Sequence, residues 1–106
     1  MSMRTIDYRN ATWASMQASL SGIREQVYHA FEKHGPGTTR EVSIKAGISI
    51  LTLRPRTTEL VQLGFVEMMG GSRDGLEAVY IAVPVSQVQE RFEFWQAQPV
   101  QGEMQL

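Results

Sequence analysis

The chain has no cysteine, which excludes a disulfide framework, a thiolate zinc site and a catalytic thiol. That lack fits a reducing cytoplasm, the expected compartment. No stretch approaches the ~18 consecutive apolar residues of a membrane-spanning helix. The opening run MSMRTIDYRN has no apolar core behind its arginine and does not read as a secretory signal. A basic excess is missing too, since the net charge is −1. Between residues 35 and 84, Arg40, Lys45, Arg54, Arg56 and Arg73 stand against Glu41, Glu59, Glu67, Asp74 and Glu77. Affinity for a polyanion would have to come from where the charges sit, not from their number. Catalytic signatures are also missing: there is no Ser/His/Asp pattern, Walker loop or dinucleotide fingerprint. Glu25 and His29 share an i, i+4 spacing but have no third partner, so they read as a surface pair rather than a metal site. No enzyme activity, metal, cofactor or small-molecule ligand is therefore expected.

What is present is 106 residues, enough for one domain with a modest core. The most informative stretch is residues 38 to 66, TTREVSIKAGISILTLRPRTTELVQLGFV. Thr38 can cap a helix, with Glu41 three residues on to complete a capping box. Gly47 stops that helix and Ser49 caps the next. Leu53, Leu60 and Leu63 recur near the helical period, and Gly64 sits where a left-handed backbone ends the helix. Two helices around so short a turn can brace the second against the first while its outer face stays free.

Asn10 or Thr12 can cap a short helix running through Ala18, and Ser21 can cap another from about 22 to 34. One unbroken helix competes, because Trp13, Met16, Leu20, Ile23, Val27 and Ala30 form a heptad seam. Ser19-Leu20-Ser21-Gly22 favours the break, since glycine costs ~1 kcal/mol inside a helix. Gly35-Pro36-Gly37 is a turn, with room for a residue or two of strand before Thr38. Phe65–Met69 and Ala78–Val83 read as strands around a glycine-rich loop, hence a hairpin. Met68 and Met69 are assigned to the core and the sheet face. Ser86 and Gln89 repeat the capping-box pattern, and Val88, Phe92 and Trp95 predict a final helix of about 87–97. The expected fold is α+β and mainly α: a helix-turn-helix with a β-hairpin wing and extra helical segments at both ends. Its expected divisions are a flexible tail 1–9, the main domain 10–85, a C-terminal helix 86–98 and a disordered tail 99–106.

Four stretches carry a family resemblance: Asn10-Ala11-Thr12-Trp13-Ala14-Ser15; Thr39-Arg40-Glu41-Val42; Leu53-Arg54-Pro55-Arg56-Thr57-Thr58-Glu59-Leu60; and Gly64-Phe65-Val66 with the glycine-rich loop and Ala78-Val79-Tyr80. Together they span residues 10 to 83 and resemble the small winged-helix proteins of bacteriophage and prophage genomes, within the broad MarR-like and ArsR-like groups. Arg-Pro-Arg followed by Glu-Leu is the most specific part. The sequence departs from the pattern in its acidic wing, with Asp74 and Glu77, and in the helix after Pro84. The resemblance implies a DNA-binding module.

A step of 100° per residue along the helix of about 50 to 63 puts Thr57, Leu60 and Gly64 beside Leu53 on the buried side. Leu51, Arg54, Pro55, Thr58 and Gln62 fall outward. Arg54 can fork onto a guanine edge or a phosphate, Thr58 and Gln62 can bond bases or backbone, and Leu51 can pack on a thymine methyl. Each has a plainer alternative: a solvated arginine, or a leucine buried against a neighbour. Ser49 and Thr52 at the helix start suit a phosphate. Arg56 can reach a phosphate or pair with Glu59 or Glu41. Arg40 and Lys45 sit on the supporting helix within reach of the backbone, and Arg73 at the wing tip can enter a minor groove.

The expected partner is double-stranded DNA, with regulation of phage or prophage transcription as the expected use. A homodimer through Trp13, Met16, Phe92 and Trp95 is expected, because one helix reads few base pairs. Two other uses of the same fold stay open: a protein-interaction module without DNA binding, and an accessory role in phage DNA replication or packaging.

Overall fold

The computed structural model describes residues 12–72 and 77–97. The expected tails at 1–9 and 99–106, Arg73 and Asp74, and the side chain of Trp95 lie outside what is described. The described chain is α+β and mainly helical. Its elements run α1 (Trp13–Ser19), α2 (Gly22–His34), α3 (Thr39–Ala46), α4 (Ile50–Leu63), β1 (Val66–Ser72), β2 (Ala78–Ala82) and α5 (Val85–Ala97).

Local chemistry sets most of the helix ends. Thr12 caps α1 in a reciprocal box with Ser15, leaving two fewer orphan amides at that terminus. The chain breaks at Leu20 and Ser21, where the sequence is poorest in helix formers, so the single-helix alternative does not form. The Thr38–Glu41 box forms as the spacing requires, with hydrogen bonds of 3.1 and 3.0 Å. Gly47 and Gly64 end α3 and α4 with φ of +69° and +88°, a region in which a Cβ is strained. Pro55 lies inside α4 without breaking it, and its missing N–H falls on the helix's exposed side.

The last helix starts earlier than the Ser86 pattern suggests. The carbonyl of Pro84 accepts from Gln87 and Val88 at 2.9 and 3.1 Å, so proline closes β2 and begins α5 at once. Ser86 therefore lies within the first turn rather than at the cap.

The two strands pair antiparallel, Val66 opposite Ala82 through Met68 opposite Tyr80. The register then shifts before Ser72 meets Ala78. Gly70, at φ +101°, lies in that irregular stretch, so β1 runs into what reads in sequence as loop. One further bridge extends the sheet. Gly37 and Tyr80 exchange two backbone hydrogen bonds, of 3.0 and 2.8 Å, a single bridge where the turn before Thr38 left room for a residue or two of strand.

The core gathers Val27, Tyr28 and Phe31 of α2, Val42 of α3, Leu53, Leu60 and Leu63 of α4, Phe65 and Val66, and Val83 and Val88. Tyr28 also spans the fold by donating its hydroxyl to the carbonyl of Val83 at 2.7 Å. Burial pushes its phenol up to about 12, and the nearby Glu32 carboxylate adds to the shift. Met68 and Met69 do not line the core or a covered sheet face; both are about half exposed. No helix among the described residues is long and apolar enough to cross a membrane.

Candidate nucleic-acid interface

The candidate interface is the outer side of α4. Leu53, Thr57, Leu60 and Leu63 point into the core, and the Thr57 hydroxyl is satisfied by donating to the carbonyl of Leu53 at 2.8 Å. Leu51, Thr52, Arg54, Pro55, Thr58 and Gln62 are all exposed, as the helical step from Leu53 requires. Leu51 is 84% exposed, so its alternative of burial against a neighbour does not hold within this chain. Ile50, Leu51, Arg54, Pro55 and Thr58 line a shallow hollow of about 260 Å³ on this side.

What holds α4 from behind is partly apolar and partly ionic. It packs on α2 and α3 and leads into β1. On its flank, Glu59 accepts from Arg24 of α2 at 2.8 Å and lies 2.9 Å from Arg56 one turn away. Of the two glutamates the sequence offers Arg56, its guanidinium pairs with Glu59. A half-buried carboxylate shared by two arginines ties α2 to α4 more firmly than a solvated surface pair. The sequence reading did not find Arg24, because its partner is 35 residues away.

The remaining candidates fall in different places. Ser49 is exposed, but its hydroxyl accepts from the amide of Leu51 at 3.2 Å and serves as the helix cap. Thr58 donates weakly to the carbonyl of Arg54, at 3.4 Å. Arg40 and Lys45 are exposed on α3. Arg73 lies outside the described residues. Arg54 and Arg40 are brought together by a residue assigned in sequence only to an acidic wing. Glu77, just before β2, lies 3.6 Å from Arg54 and 3.2 Å from Arg40. A cleft of about 190 Å³ between α4 and β2 is lined by Arg54, Thr57, Thr58, Glu77 and Tyr80, among others.

Two of the four candidate dimer residues, Met16 and Phe92, are buried rather than on the surface. Met16 is 1% exposed and Phe92 3%. The Trp13 and Phe92 rings meet at a centroid distance of 5.9 Å, and Trp13 is partly buried against the core. The Trp13–Phe92 contact joins α1 to α5 within one chain, and Met16 and Phe92 are too buried to meet a second copy. His29 makes the expected surface pairing, closer to Glu32 (2.6 Å) than to Glu25 (3.9 Å).

Comparison with protein-family models, with curated proteins and with solved structures finds no match to this chain.

Proposed function

We propose that the protein is a winged helix-turn-helix module that binds double-stranded DNA by laying the outer face of α4 in the major groove, and that it regulates transcription in a phage or prophage setting. The observation that carries this reading is the division of one helix into two sides. Four side chains anchor it in the core, while Leu51, Arg54, Thr58 and Gln62 remain exposed on a rigid rod. That is the geometry a recognition helix needs. Arg54 supplies a forked donor for guanine or phosphate, Thr58 and Gln62 supply hydrogen bonds, and Leu51 supplies an apolar contact for a thymine methyl. The hairpin β1–β2 is the wing. The same face would serve recognition of an origin or DNA end in replication or packaging. A two-fold dimer on a palindromic site is part of the proposal, with its contacts on surface other than Trp13, Met16 and Phe92.

The test is a titration with mixed-sequence duplex at about 50 and 200 mM salt. Contact with about three phosphates predicts a loss of roughly fortyfold across that range. Arg54→Ala should weaken binding without unfolding the domain. A second reading, a protein-interaction module, draws on the exposure of Leu51 and Ile44, at 84% and 74%. Absence of binding at the lower salt would favour it.

A further inference from the structure

The two cations best placed to lead the proposed interface are both held by one carboxylate. Glu77 Oε2 accepts from Arg40 Nε at 3.2 Å, and Glu77 Oε1 lies 3.6 Å from Arg54 Nη2. That second distance is beyond hydrogen-bond reach. Oε1 is buried and has no hydrogen-bond partner among the described residues. It is held by attraction between charges without the bond that would offset its lost hydration.

The backbone explains why the three groups meet. The antiparallel bridge fixes Gly37 opposite Tyr80. Arg40 follows Gly37 by three residues and Glu77 precedes Tyr80 by three, so both fall at the same end of the bridge. Arg54 reaches the same place from the outer face of α4, across the cleft that Thr39 and Thr58 also line. The result is an anion site made of two guanidinium groups from two helices, with threonine hydroxyls beside it, already filled by the protein's own carboxylate.

We propose that Glu77 is an internal competitor for a DNA backbone phosphate: its carboxylate occupies the anion position between Arg40 and Arg54, and a duplex must displace it to bind. This rests on the DNA-binding reading above and specifies how that site is regulated. A phosphate gains the two arginines only by breaking two existing pairs, so sequence-independent attachment is weakened. A duplex that also offers a guanine edge to Arg54 recovers the loss, and the ratio of specific to non-specific affinity rises. The balance of five cations against five anions between residues 35 and 84 then has a use: the acid beside the interface restrains promiscuous binding.

The experiment is fluorescence-anisotropy titration of a labelled mixed-sequence duplex with wild-type protein, Glu77→Gln, Arg40→Ala/Arg54→Ala, and the triple variant. Glu77→Gln should tighten binding about two- to thirtyfold, the range set by releasing two partly exposed ion pairs, and should steepen the salt dependence. Most of that gain should vanish in the double-alanine background. Binding by Glu77→Gln where wild type shows none would also support the competitor. Equal affinity of wild type and Glu77→Gln, with wild type binding in a salt-dependent way, overturns the competitor and leaves DNA binding standing. Failure of both to bind at low salt removes the DNA-binding reading and this proposal with it. If Glu77→Gln melts early, the wild-type Arg40 Nε–Hε resonance decides. It should shift when duplex is added, because its Glu77 partner is displaced; a resonance that stays in place while the duplex binds overturns the proposal.

Discussion

Leu60→Ala tests whether α4 is held as the structure implies. Leu60 is 0% exposed and lies in the cluster with Leu53, Leu63 and Phe65. Three buried carbon groups are lost, at about 0.8 kcal/mol each, or about 2.4 kcal/mol in transfer terms. The cavity left behind adds to this, because neighbours on α2 and β1 are tied to the sheet and relax only partly, giving about 3–5 kcal/mol in all. A domain of this size has roughly 5–15 kcal/mol to lose, so the variant should still fold but melt at least about 10 °C lower. Its counterpart, Gln62→Ala, alters an exposed residue two positions away and should stay within about 0.5 kcal/mol of wild type. Urea denaturation followed by circular dichroism measures both. If the two variants lose similar stability, the orientation assigned to α4 is wrong, and so is the face proposed for DNA.

Other outcomes follow from the same contacts. Tyr28→Phe leaves the carbonyl of Val83 without its 2.7 Å donor and should cost about 1–3 kcal/mol in a urea melt. Because the folded Tyr28 phenol titrates near 12, above the ordinary tyrosine value of about 10, its contribution is intact below pH 10. It fades as pH rises from 10 through 12, since ionisation then favours the unfolded chain. Ultraviolet titration at the tyrosinate band should show a late-ionising phase, and Tyr28→Phe should remove it. Gly64→Ala places a Cβ on a backbone with φ of +88° and should cost about 1 kcal/mol in the same melts; an unchanged midpoint would mean that α4 ends in another way.

Those features that depend on neighbours in sequence could be read from it. The Thr38–Glu41 box, the stops at Gly47 and Gly64, and the two sides of α4 all follow from spacings of three or four residues. What could not be read depends on chain closure over long distances. Charge pattern offered Arg56 two glutamates and gave Glu77 none of its partners. Only the Gly37–Tyr80 bridge, set by tertiary packing, brings Glu77 to Arg40 across 37 positions. By pattern alone Trp13 and Phe92 are surplus apolar groups fit for a second chain, because three helices and a hairpin already supply a core. The structure instead uses Val88 in that core and Phe92 against Trp13. The early start of α5 leaves no trace in the sequence because Pro84 supplies the first acceptor through its carbonyl, a role with no side-chain signature. In β1 the glycines read as loop, although a strand with an irregular register accommodates them.

Amide and side-chain NMR of the full chain during addition of a mixed-sequence duplex shows which face of the protein meets DNA. If the outer face of α4 meets the groove, the resonances of Leu51, Thr52, Arg54, Thr58 and Gln62 shift together and those of Trp13, Met16 and Phe92 do not. Shifts confined to α1 and α5, or none on α4 at a duplex concentration that binds the protein, would contradict it.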